Sequence, residues 1–352
     1  MLARSWKTCA WIAVFFVAAS VASAASPVVP GTGVKLANVG DDFEDPNWLF
    51  QPNFPKSSEE QDEQKRQPAG WSQNRRWYEG IKRGCPDIVQ RIATPPGGLE
   101  GSTGALLLRT VHSGIPGRPS YKMQQDDFIC NVWQRVGHKI PVGQTPSCVV
   151  RVFMPPIDTW ENRTGATFGF RTSLETHAMR VPEHKKKKKD FFGRPPKKEW
   201  GLETYWPGMF VEFRSETDRN QQYDTAYWRI RGNTRGHEIR GPQIDMTGWW
   251  TLGMSVTPDG MVHYYISKGT DDLTQEDYVT SQFPYGYRAE TFKTFFFNVC
   301  NRDDMRTKST DWVIDDCAVY VASGRANQTV RRGSPTRQRV NTGSTSRAGS
   351  KR

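Results

Sequence analysis

Between Gly248 and Lys268 the sequence GWWTLGMSVTPDGMVHYYISK alternates apolar and polar positions on either side of a Pro-Asp-Gly turn. A period of two predicts two antiparallel strands joined by a hairpin turn at Thr257 to Gly260. Trp250, Leu252, Met254 and Val256 share one face, continued after the turn by Val262, Tyr264 and Ile266, and this face is the core side. The opposite face carries Trp249, Thr251, Ser255, His263 and Tyr265, a mixture of aromatic and polar groups that suits a sugar-binding surface. Outward faces of ordinary sheets also pair aromatics across strands, so alternation alone leaves both readings open.

Similar runs recur at 105–111, 128–133, 148–154, 167–172, 209–215, 225–231, 292–299 and 312–321, with Gly and Pro in the gaps and little helical periodicity. The expected fold is all-β, a two-sheet antiparallel sandwich. One domain over residues 25–322 accommodates these strands, with insertions at about 51–80 and 182–200. Trp71, Trp77 and Tyr78 are expected to fasten the first insertion to the sandwich. The second, with Lys185 to Lys189, Phe191, Phe192, Arg194, Lys197 and Lys198, is expected as a protruding basic loop. Trp228, Trp250 and Trp312 are the expected core tryptophans.

Residues 1–24 have a basic start, an apolar run over 10–19 and the small-residue pattern Ala22-Ser23-Ala24, which predicts an export signal and a secreted protein, extracellular or periplasmic. The apolar run is shorter than the roughly 20 residues that span a bilayer. Beyond the signal lie Cys85, Cys130, Cys148, Cys300 and Cys317, an odd set whose pairing sequence does not fix. The formal charge of +11 is unevenly placed. Residues 323–352 hold eight of the 48 Lys/Arg and no carboxylate, and Arg4 and Lys7 take two more, leaving 38 basic against 37 acidic residues in 25–322. The body is nearly neutral; the basic tail, poor in apolar residues, is expected to be disordered and is a candidate for holding an anionic polymer.

Four ordered pieces carry a family resemblance: Asp41-Asp42-Phe43-Glu44-Asp45 with Trp48, the run Gly101 to Leu108, the hairpin above, and Trp312 to Tyr320. Together they resemble the concanavalin A-like lectin/glucanase superfamily, including its laminin G-like members. The resemblance implies a jelly-roll sandwich with one concave, often sugar-binding, sheet, and a structural calcium tying the first strand to the last. The matching metal ligands are Asp42, Glu44 and Asp316, with Asp315 the alternative; hard oxygen donors suit calcium.

Alternation also places Glu212, Arg214 and Glu216 on one side of a strand, Tyr227, Arg229 and Arg231 on one side of the next, and His263 and Tyr265 on one side of the hairpin. If these strands are neighbours, the set converges on one surface, with Tyr205, Trp206 and Trp249 as further sugar platforms. Glycoside hydrolysis is disfavoured: Glu212 and Glu216 are about 13 Å apart along a strand at ~3.3 Å per residue, beyond the roughly 5–10 Å of a carboxyl pair. Arg214 also stands where the superfamily's glucanases carry a central Asp. A lyase acting on an acidic, uronate glycan needs an arginine and a Tyr or His, and Arg214, His263 and Tyr265 are the candidates. Arg214-Ser215-Glu216, Gln243-Ile244-Asp245 and Tyr265 to Gly269 resemble blocks of jelly-roll alginate lyases, with Asp245 in the place of a catalytic His. Pairing of Arg229 and Arg231 with Glu212 and Glu216 in an ion lattice is the structural alternative. The expectation is an exported protein binding a polysaccharide or cell-surface glycan, with a lyase or a noncatalytic adhesion or envelope protein as alternatives.

Overall fold

The computed structural model describes residues 26–67, 69–182 and 196–322. The expected signal (1–24), most of the basic loop (183–195) and the tail (323–352) lie outside the described residues. In chain order the strands are β1 (Val34–Lys35), β2 (Phe50–Gln51), β3 (Trp71–Ser72), β4 (Trp77–Glu79), β5 (Ile88–Ala93), β6 (Gly104–Arg109), β7 (Met123–Cys130), β8 (Ile140–Pro141), β9 (Pro146–Met154), β10 (Gly165–Arg180), β11 (Glu199–Tyr205), β12 (Gly208–Arg214), β13 (Thr225–Arg231), β14 (Glu238–Ile244), β15 (Gly248–Val256), β16 (Val262–Lys268), β17 (Tyr278–Gln282), β18 (Thr291–Arg302) and β19 (Trp312–Val321).

They form two antiparallel sheets of a jelly-roll sandwich. The eight-stranded sheet runs β17-β16-β15-β9-β19-β6-β5, with β1 on β19; the eleven-stranded sheet runs β14-β13-β12-β10-β18-β7-β4-β3-β2, with β11 on β10 and β8 on β18. No described helix is long and apolar enough to cross a membrane.

The core lies between the sheets because alternation aims every second side chain inward. Trp228, Trp250 and Trp312 are buried there as expected, with Phe168, Phe170, Phe213, Phe295 and Phe297. Trp77 is fully buried and stacks on Phe128 at 4.7 Å, while Trp71 stacks on Tyr78 at 5.1 Å. Such pairs add about 0.5–1.5 kcal/mol each beyond area burial. Trp77 thus fastens this segment to the sandwich, while the Trp71–Tyr78 stack lies within the segment, whose β3 and β4, with β2, extend the eleven-stranded sheet. The strand expected over 128–133 ends at Cys130, and Trp133 belongs to a short helix α1 (Val132–Val136). Among the described residues the five cysteines, Cys85, Cys130, Cys148, Cys300 and Cys317, are free and buried.

The hairpin pairs Val256 with Val262. Gly260 closes the turn, its N–H donating to Thr257 O at 2.8 Å. Its φ is +80°, and a Cβ there would meet the Ala289 backbone at 2.5 Å, so glycine is required. The core-side residues are all buried as expected.

Candidate functional site

The hairpin's other face is buried too. The Ser255 hydroxyl donates to Val28 O at 2.5 Å, His263 bridges Thr257 Oγ1 at 2.8 Å and Ser281 Oγ at 2.5 Å, and Tyr265 packs edge-on to Tyr278. Trp249, 2 % exposed, donates to Pro95 O and packs on Phe153. The segment at 28–30, the loop at 95–98 and Leu273 therefore cover what alternation presents as a surface, with Tyr278 and Ser281 of the neighbouring β17 beside it. Burial pulls the His263 imidazole down to about 4, against the opposing pull of Asp259. The hairpin, moreover, belongs to the eight-stranded sheet, whereas Arg214 lies on the other. The expected convergence divides: His263, Tyr265 and Trp249 do not join the arginines.

The remainder does assemble. On β12, Met209, Val211 and Phe213 are buried in the core, which turns Phe210, Glu212 and Arg214 outward. Register sets Glu212 beside Tyr227, Arg214 beside Thr225, Phe210 beside Arg229, and then Arg229 beside Arg240 and Arg231 beside Glu238 on β14. Arg229 binds both Glu212 and Glu238, Arg231 binds Glu238 at 2.7 Å, and Arg214 approaches Glu212 at 3.8 Å. The ion lattice is real, with Glu238 in the part expected of Glu216. Glu216 lies past the end of β12, exposed, its N–H donating to Asp224.

Guanidinium planes lie over rings across this face. Arg231 sits 4.7 Å from the Phe210 centroid, Arg240 4.6 Å from that of Tyr227, and Arg171 5.4 Å and 5.2 Å from those of Phe210 and Phe296. Arg214 Nη2 donates to the Tyr227 hydroxyl at 3.2 Å. Burial raises the Glu212 carboxyl above its ordinary range, opposed by Arg229 and Arg214.

Beneath the open part lies a row the sequence reading missed. Arg171, on β10, donates to Trp206 O and to Asn298 Oδ1; Asn298 donates to Asp127, which pairs with Arg83 at 3.5 Å. Burial pulls Arg171 down to about 10. The detectable signal was a charged or amide residue at an outward position of an otherwise aromatic run, Arg171 in GFRTSL and Asn298 in FFFNVC. Trp206 is at the rim, with the Lys82 ammonium 5.2 Å from its ring. Tyr205 points the other way, into the core against Tyr285 and Tyr287.

Of the expected calcium ligands, Glu44 and the alternative Asp315 meet at the Ser102 hydroxyl, and Asp42 and Asp316 are held by other partners. Asp316 is held by Lys35 and Arg151. Glu44 accepts from Thr103 N, Thr103 Oγ1 and Gly104 N, and Asp42 accepts from the Glu44 N–H. Asp315, whose carboxyl burial raises to about 7, shares the Ser102 hydroxyl with Glu44. Among the described residues no group of three or more His, Cys, Asp or Glu side chains is placed to hold a metal. The carboxylates are already engaged by protein donors, so they do not fit a calcium.

Two clefts lie at the end of the sandwich, the first bordering the arginine face through Thr225 and Gln243, the register partners of Arg214 and Tyr227. One, of about 300 Å³, is lined by Trp160, Tyr223, Gln243 and Met246; the other, of about 490 Å³, by Glu161, Arg306 and Lys308. The arginine face is open only in part: Arg214 and Arg240 are exposed and Arg229, Arg231 and Glu238 half-buried, while Phe210, Glu212 and Tyr227 are buried.

No protein-family model matches the sequence, and no curated protein matches it. Solved structures align with the chain at low identity. They include the GH131 β-glucanase catalytic domain from Podospora anserina, with 11% identity over 67% of this chain and 80% of that one at a TM-score of 0.36. The endo-β-1,4-glucuronan lyase from the fungus Trichoderma reesei shares 10% identity over 66% of this chain and 87% of its own, TM-score 0.33. The VIP36 exoplasmic/lumenal domain, in a Ca2+/Man3GlcNAc-bound form, shares 10% over 83% and 92%, TM-score 0.34. The likeness is one of fold.

Proposed function

We propose that this chain is an exported protein that binds an acidic polysaccharide on the outer face of the eleven-stranded sheet. The observation that carries the reading is the surplus of guanidinium groups there: Arg214, Arg229, Arg231 and Arg240 stand against Glu212 and Glu238. A uronate polymer presents carboxylates at regular intervals, and planar guanidinium edges match carboxylates bidentately. Trp206, partly exposed at the rim, supplies apolar ring surface beside those charges, the combination a sugar ring needs. A polymer also suits a partly open face better than a closed pocket does.

Titration with a uronate polymer and with a neutral glucan of similar length tests this. The uronate polymer binds, more weakly as salt screens the surface charges, and the neutral glucan does not. Equal binding of both, or of neither, discards the reading.

A lyase is the second reading, favoured by the contact of Arg214 with the Tyr227 hydroxyl beside Glu212. Arg214 would neutralise the uronate carboxylate, and Tyr227, in place of Tyr265 and His263, would as a phenolate take the α-proton while the carbon–carbon double bond forms and the bond to the leaving sugar oxygen breaks, and would then return that proton to the leaving oxygen. The unsaturated product absorbs in the near ultraviolet. Absorbance that grows with wild type and not with Tyr227→Phe supports elimination; no growth leaves a binding protein. The basic tail, 323–352, is proposed as an additional anchor to an anionic polymer.

A further inference from the structure

β10 and β11 continue together past the sandwich as a two-stranded arm, pairing Leu174 with Tyr205, His177 with Leu202 and Met179 with Trp200. Leu174 and Tyr205 point into the core. Arg171 is three residues before Leu174 and His177 three after it, so both project to the opposite side, and so does Met179. Cross-strand partners share a side, which places Leu202 and Trp200 there as well. The arm therefore extends the side of the sheet that bears Arg171, and it carries an exposed apolar patch: Trp200 is 70% exposed, Met179 52% and Leu202 39%. His177, held by Glu290 at 2.7 Å, borders it.

We infer that Trp200, framed by Met179 and Leu202, is a stacking platform for a pyranose ring of the same polysaccharide, at a distance from the arginine face. This rests on the reading of that face as an acidic-polysaccharide site. The size of the patch favours a sugar over a protein partner. Three partly exposed apolar side chains offer on the order of 300 Å², whereas a stable protein interface takes about 800 Å² from each partner. One sugar ring covers an indole. From Arg171 to Met179 is eight residues, about 26 Å at ~3.3 Å per residue, so a polymer reaches both places and a short oligosaccharide does not.

The test compares a long uronate polymer with a short uronate oligosaccharide on wild type, Trp200→Ala, Trp200→Phe and Arg214→Ala. Trp200→Ala weakens the polymer about five- to tenfold and leaves the short ligand unchanged; Trp200→Phe restores most of the loss, and Arg214→Ala weakens both ligands. If wild type binds neither ligand, the arginine-face reading falls and takes the platform with it. If Arg214→Ala weakens both while Trp200→Ala binds polymer as wild type does, the platform alone is overturned. A loss of self-association in Trp200→Ala on sedimentation, with polymer affinity unchanged, also overturns it in favour of a contact between copies.

Discussion

His263 and Arg229 both stand at outward positions of alternating strands, one on β16 of the eight-stranded sheet and one on β13 of the eleven-stranded sheet. His263 has no solvent exposure, and burial keeps its imidazole neutral between the hydroxyls of Thr257 and of Ser281 on neighbouring β17. Arg229 stays partly exposed among other guanidinium groups and carboxylates. The pleat decides which side of a sheet a residue takes; long-range coverage decides whether that side meets water. A polar outward face thus identifies a candidate site only after the neighbouring loops are placed.

The two faces should respond differently to substitution. The largest effect is expected at Trp249, where replacement by Ala opens a void under the 95–98 loop and costs about 3–5 kcal/mol by chemical denaturation, without changing polymer affinity relative to the fraction folded. Arg240→Ala, on the open face, should cost under about 1 kcal/mol of stability. A larger loss there would make the arginine face a structural layer like the other.

A pH effect should also separate the faces. The His263 pKa of about 4 lies below its ordinary value, so the unfolded chain takes up a proton between about pH 6.5 and 4 that the folded chain refuses. Stability contributed by neutral His263 is full above that window and is lost as pH falls through it. His263→Gln should flatten this part of the melting profile, and an unchanged slope would assign it to other groups. The smallest expected effect is that of metal: because Asp42, Glu44 and Asp316 are engaged elsewhere, a chelator should leave the melting temperature unchanged. A fall restored by calcium would reopen the seam between the first and last strands as a metal site.

The central strands were legible because they alternate strongly: β9, β12, β13, β15, β16, β18 and β19 all fall where the pattern places them. β5, β11, β14 and β17 escaped because each has a single neighbour. An edge strand needs no continuous apolar stripe and tolerates breaks such as Gly241-Pro242 in β14. On the face itself, Glu212, Arg214, Tyr227, Arg229 and Arg231 were readable from two adjacent strands whose connection is short. Arg240 and Glu238 came with the missed edge strand, and Arg171 and Asn298 were hidden in the most apolar strands. Which sheet the hairpin joins is set by pairing with β9, nearly 100 residues earlier in the chain, and no local pattern encodes that choice.

The claim that ligand meets the arginine face, and not the aromatic hairpin face, is tested most directly by measuring uronate-polymer affinity side by side for Arg214→Ala and Tyr265→Phe. The account predicts a loss of about tenfold for Arg214→Ala and wild-type affinity for Tyr265→Phe. Wild-type affinity in Arg214→Ala together with a loss in Tyr265→Phe would contradict it.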